Sequence, residues 1–154
     1  MCCREGEPLN ALTDNERSRV RARSFGFVFQ HAALDPHRSV MDTVLEPSLY
    51  VDIRRSDLVE RAQALLSTMG VSVTAGSRPA EISGGQAQRV GVARALILQP
   101  KVIFADEPTG NLDRGSADVV LQALETAAEQ GCTVLIATHD ERIVARSTHQ
   151  IALR

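Results

Sequence analysis

Lys101-Val102-Ile103-Phe104-Ala105-Asp106-Glu107-Pro108-Thr109-Gly110-Asn111-Leu112-Asp113 is the stretch on which the fold turns. Residues 102–105 are a short continuous apolar run, the pattern of a parallel strand buried on both faces, and the run ends in two adjacent carboxylates. In an open parallel sheet, ligands bind beyond the carboxyl ends of the strands, where Asp106 could serve as a metal ligand and Glu107 as a general base. Pro108 and Gly110 stop the strand and turn the chain. Taken alone, an Asp-Glu pair opening a solvated loop explains the same dipeptide. Two further apolar runs count against that: residues 25–29 (Phe-Gly-Phe-Val-Phe) end in Gln30, and residues 133–138 (Thr-Val-Leu-Ile-Ala-Thr) end in His139. If the three strands are parallel, Gln30, Asp106, Glu107 and His139 share one edge of one sheet.

A length of 154 residues suffices for one core, or for one core carrying a small inserted subdomain. Hydrophobic content of 44% and charged content of 23% place the chain with soluble globular proteins, and a formal net charge of −2 gives no electrostatic reason for a nucleic-acid partner. No apolar run reaches the length of a membrane span, and residues 1–10 lack the apolar segment of a secretion signal, so the expected compartment is the cytoplasm. Cys2, Cys3 and Cys132 have no metal-ligand spacing and receive no role.

Residues 1–12 show no periodicity and read as a loop. Thr13 or Asp14 caps a helix to about residue 23, whose arginines spread around the axis as a solvated surface would. Residues 40–50 read as helical with Pro47 as an interruption, and residues 56–69 as a helix with Ser56 as cap and Gly70 as terminator. A linker at 71–81 leads to a helix over 84–99, ended by Pro100. Residues 114–130 form the crossover helix after the central strand, and 151–153 begin another strand. The fold class is therefore α/β: residues 1–35 and 100–154 supply a parallel-sheet core, and residues 36–99 an inserted helical subdomain.

Ile82-Ser83-Gly84-Gly85-Gln86-Ala87-Gln88-Arg89 opens the last helix of that insertion. Ser83 and Gln86 have the spacing of a capping box, which accounts for them without any ligand. It does not account for the glycines, which weaken a first helical turn by about 1 kcal/mol each relative to Ala. Two glycines leave backbone N–H groups unshielded at the positive end of the helix dipole, a site suited to phosphate.

With these residues in place, the chain resembles ABC-type ATPases. Ser83-Gly84-Gly85-Gln86 is similar to their signature motif, the Asp106-Glu107 strand with Gly110-Asn111-Leu112-Asp113 to Walker B and the D-loop, Gln30 to the Q-loop glutamine, and His139 to the switch histidine. The wording over 105–113, with Phe27-Val28-Phe29-Gln30 ahead of it, is most similar to the lipoprotein-release and macrolide-export group; the resemblance runs from about residue 9 onward. It implies a P-loop NTPase-like fold and ATP with Mg²⁺ as ligands. Asp106 would hold the metal through its waters, Glu107 would orient and deprotonate the attacking water, Gln30 would contact metal or water, and His139 would hydrogen-bond the γ-phosphate. Ser83, Gly84, Gly85, Gln86 and Asp113 would serve the nucleotide at a dimer interface. The implied partners are a second ATP-binding subunit, identical or not, and an integral membrane permease, with the chain peripheral on the cytoplasmic face. Each residue keeps an ordinary explanation: His139 as a helix-start residue before Asp140, Gln30 as a loop glutamine, Asp113 as a helix cap.

One family element is missing. The sequence contains no Gly-x-x-x-x-Gly-Lys-Ser/Thr, and Lys101, the single lysine among 17 basic residues, opens the central strand. The expectation is that these residues are an N-terminally truncated or mis-started form of a longer ATPase that alone binds ATP poorly and barely hydrolyses it. Two alternatives stand beside the transporter subunit: an ABC-type ATPase outside transport, and a degenerate regulatory subunit that lends only its signature motif to a partner's site.

Overall fold

A computed structural model of the chain describes residues 3–4, 7–8, 12–32, 34–72 and 76–152. In chain order the elements are β1 (Cys3–Arg4), β2 (Glu7–Pro8), α1 (Asp14–Ser24), β3 (Phe25–Val28), α2 (Val40–Leu45), α3 (Val59–Thr68), α4 (Gly84–Leu96), β4 (Val102–Asp106), α5 (Arg114–Glu129), β5 (Thr133–Ala137) and α6 (Glu141–Arg146). Short 3₁₀ turns at Glu46–Tyr50, Arg55–Leu58 and Pro79–Glu81 fill the connections.

Local chemistry explains most boundaries. Thr13 caps α1 and Ser39 caps α2, each in a reciprocal capping box with the acid three residues later. Gly70 and Gly131 take the left-handed backbone, at φ +62° and +92°, immediately beyond α3 and α5, where a side chain would be strained. Four local expectations shift. Ser56 does not cap α3, because a 3₁₀ turn occupies Arg55–Leu58 and the α-helix starts only at Val59. The helix expected to reach residue 99 stops at Leu96, and its last carbonyls are met from outside: Arg61 on α3 donates to Leu96 O at 3.2 Å and Ile97 O at 2.9 Å. Burial pulls the Arg61 guanidinium below its usual range. The N-terminal stretch read as loop holds β1 paired antiparallel with β2, strands too short for any alternation to register. Ile151 and Ala152 are not in a strand, and Leu153 lies outside the described residues.

β3, β4 and β5 form one parallel sheet with β4 in the centre. Val28 stands beside Ala105, and Asp106 beside Ala137, so the three carboxyl ends are level. The core cluster joins the Val28, Ile103 and Ala105 face of this sheet to α2, α3, α4 and α5. The opposite face corrects the expectation of strands buried on both sides: Phe27 is 43%, Phe104 40% and Leu135 48% exposed, and the Phe27 and Phe104 rings stack with centroids 5.6 Å apart. The run is apolar throughout, yet the described helices cover one face of it.

Close approach of α4 to β3 depends on Gly26. A Cβ there would meet the Ala95 carbonyl oxygen at 2.7 Å, well inside van der Waals contact. Gly26→Ala is expected to push α4 off the sheet at a cost of about 1–3 kcal/mol, as overpacking does. The measurement is urea unfolding: a lower midpoint at unchanged slope, whereas an unchanged midpoint would show that the contact relaxes freely.

Candidate functional site

β4 delivers Asp106 to the end of the strand as an exposed side chain. The next residue, Glu107, takes φ +42°, a left-handed backbone that costs a non-glycine residue about 1–2 kcal/mol. The conformation is held from both sides: Glu107 N–H donates to Ala137 O at 2.9 Å, and Gly110 N–H donates to Glu107 O at 3.1 Å. Its consequence is that the Glu107 carboxylate meets the end of β5. Oε2 accepts from Thr138 Oγ1 at 3.0 Å, Oε1 accepts from His139 N–H at 2.9 Å, and His139 Nδ1 lies 2.7 Å from Oε1. Burial pushes the Glu107 carboxyl up, but the donors from His139 and Thr138 together outweigh it and hold the group below the usual glutamate range. An acceptor at Oε1 places a proton on Nδ1, and among the described residues Nε2 has no partner on a ring whose side chain is 90% exposed.

Gln30 is exposed, two residues beyond β3. Its carbonyl accepts from Asn111 Nδ2 at 3.3 Å, and the same amide lies 3.4 Å from His31 Nδ1. The loop after β3 is thereby tied to the loop after β4. Gln30, Asp106, Glu107 and His139 thus stand at the carboxyl ends of three neighbouring parallel strands; within this set the described side-chain contact is that of Glu107 with His139.

The glycine-flanked turn realises its ordinary explanation. Ser83 Oγ accepts from Gln86 N–H at 3.2 Å, and Gln86 Oε1 accepts from Ser83 N–H at 2.9 Å. Those bonds leave the N–H groups of Gly84 and Gly85, first and second in α4, without intrahelical acceptors. Gly84 is exposed with open space where a side chain would stand, and Gly85 faces Leu112 of the loop after β4. Asp113 likewise caps α5, accepting from Ser116 N–H at 3.0 Å and from Ser116 Oγ at 2.6 Å, bonds that hold its carboxyl low. Capping and phosphate binding use different donors, so the two readings of residues 83–86 are compatible.

Sequence reasoning gave no role of their own to Thr138, Asn111, Gln88, Arg89 or Ser116. Thr138 was visible as the neighbour of His139; the others make long-range contacts that no local pattern announces.

Among the described residues, no group of three or more His, Cys, Asp or Glu side chains is placed to cage a metal ion. Mg²⁺ needs no such cage, since it retains several waters and takes one or two carboxylates together with substrate phosphates. An exposed Asp106 beside an engaged Glu107 fits that kind of binding.

The ABC transporter family model matches residues 4–110. The lipoprotein-releasing system ATP-binding protein LolD 2 of Rhodopseudomonas palustris is 39% identical over 150 residues, covering 97% of this chain and 65% of that protein. The macrolide export ATP-binding/permease protein MacB of Pasteurella multocida is 39% identical over 149 residues, covering 97% of this chain and 23% of that protein. Among solved structures, the dimeric ATP-binding cassette MJ0796 in a post-hydrolysis state bound to ADP and Pi superposes with a TM-score of 0.76 at 34% identity, over 87% of this chain and 60% of that one. The chain therefore spans just under two thirds of the lipoprotein-release relative and under a quarter of the macrolide exporter.

Proposed function

This chain belongs to the ABC transporter family, and from that premise we propose that it is an ATP-binding and ATP-hydrolysing subunit working at a dimer interface on the cytoplasmic face of a membrane permease. The observation that carries the reading is the Glu107–His139 pair at the carboxyl edge of a parallel sheet, a base held ionised beside an imidazole with one free nitrogen. Glu107 orients the attacking water and receives its proton; His139 Nε2 meets the γ-phosphate; Asp106 and Gln30 would hold Mg²⁺. When bound, the ion supplies neutralising charge to the phosphates. Ser83, Gly84, Gly85, Gln86 and Asp113 face the nucleotide of a second ATP-binding subunit, whether an identical or a different chain, and residues 36–99 dock on the permease. Among the described residues no helix is long and apolar enough to cross a membrane.

Among the described residues, this edge is expected to bind phosphate weakly. Lys101 stands at the amino end of β4, and a five-residue strand puts it about 15 Å from Asp106, on the wrong side of the sheet to act as a phosphate lysine. The exposed start of α4, with open space at Gly84, also supports a second reading, a subunit that lends residues 83–86 to its partner's nucleotide. Mg-ATP titrated into the isotope-labelled chain is expected to move the amide resonances of Gln30, residues 106–110, Thr138, His139 and residues 83–86, saturating only at millimolar nucleotide. Silence at all of these positions would sink the proposal. Purification from the host's own membranes is expected to bring down a multi-span protein; recovery with ribosomes or DNA instead would favour an ABC-type ATPase outside transport.

A further inference from the structure

Gln88 lies on α4, two residues past the end of the glycine turn, and its side chain is buried, with the residue 4% exposed. Its Nε2 donates to Phe29 O at 2.8 Å and reaches Pro108 O at 3.4 Å. The first carbonyl belongs to the peptide that carries the Gln30 N–H; the second is one residue beyond Glu107. One buried amide therefore bridges the loop of the Q-type glutamine and the loop of the base, although the two carbonyls lie far apart in sequence. Arg89, about 100° further round the helix, donates through Nη1 to Ser116 Oγ, and Ser116 Oγ donates to Asp113 Oδ2 at 2.6 Å. Asn111 Nδ2 closes the circuit on Gln30 O at 3.3 Å.

We infer that Gln88 is a positioning residue: it holds the Gln30 and Glu107 loops in register with the turn at 83–86, so that a displacement of that turn moves both loops together. The hydrogen bonds stand without any nucleotide; the importance of the register rests on the ATPase reading above. A side chain retained for volume alone would be replaceable by Met, which has similar length and no donor. A side chain retained for its donor would not.

The test compares amide spectra and hydrogen exchange of the full chain with those of Gln88→Met, Gln88→Glu and Val92→Ala, the last a fully buried control on the same helix. Gln88→Met is expected to shift the resonances of Gln30 and Thr109, whose peptide carbonyls lose their donor, while β4 amides keep their protection. Val92→Ala is expected to speed exchange broadly, without selecting those two. Gln88→Glu keeps the shape but sets a carboxylate against two carbonyl oxygens, which raises its pKa. At neutral pH its Gln30 resonance should be displaced, and mild acidification, by restoring one O–H donor, should return it toward that of the unmodified chain. Gln30 and Thr109 unmoved in Gln88→Met, or moved no more than in Val92→Ala, would overturn the positioning role, and so would an acid series of Gln88→Glu with no return. Failure of the unmodified chain to bind Mg-ATP would overturn the nucleotide reading and leave these shifts standing.

Discussion

Glu107→Gln is expected to lower magnesium-dependent ATP turnover by about 10²–10⁴-fold, the range associated with a positioned general base, in the proposed assembly with a permease. The substitution preserves shape and removes the negative charge. One carboxylate oxygen becomes an NH₂ group, so the side chain can no longer accept from Thr138, the His139 amide and the His139 ring together. On the proposed reading, nucleotide binding at a partner's site uses residues 83–86 and should persist. If Glu107→Gln leaves phosphate release at the level of the unmodified assembly while Ser83→Ala abolishes it, the chain serves its partner's site only and the hydrolytic role assigned to it fails. The same carboxylate carries a pH signature. Its folded-state pKa is depressed, so the bonds to His139 and Thr138 contribute stability that is fully present above the ordinary glutamate pKa of about 4.3 and lost as pH falls through the lower folded value. Glu107→Gln should therefore flatten the acid limb of the stability profile below pH of about 4.3 and leave the neutral region parallel to that of the unmodified chain.

Much of this site was readable before any coordinates, for a physical reason. A buried parallel strand must be apolar, its carboxyl end must face the ligand edge, and caps and terminators act within four residues, so Asp106, His139, Thr13, Asp113 and Gly70 all announce themselves locally. Bonds between distant segments leave no such trace. Gln88 reaches Phe29 across 59 positions through a side chain whose identity is equally consistent with a solvated helix, and nothing about Glu107 signals its left-handed backbone, because that conformation is imposed by Ala137 O and the turn to Gly110. The bare face of the sheet failed for a third reason. Apolarity states what environment Phe27, Phe104 and Leu135 tolerate, while cover depends on which elements reach them, and the described helices gather on the Gly26 and Ile103 side.

That asymmetry yields the largest stability contrast, between two adjacent residues of β4. Ile103→Ala is expected to cost about 2–5 kcal/mol, because Ile103 is fully buried, faces Gly26 in register, and leaves a cavity among side chains of α4 and α5 that can close only partly. Phe104 is the larger side chain, yet Phe104→Ala is expected to cost only about 1–2 kcal/mol. Its ring is 40% exposed and its described aromatic partners are Phe25 and Phe27, at 6.0 Å and 5.6 Å. Against a total stability of about 5–15 kcal/mol for a domain, the first substitution removes a large share and the second a small one. Denaturant midpoints of the two variants decide the matter. A Phe104→Ala loss equal to or exceeding that of Ile103→Ala would mean that the phenylalanine face is covered in solution, and the one-sided packing that aims Asp106 and Glu107 at the ligand edge would need to be redrawn with a second layer.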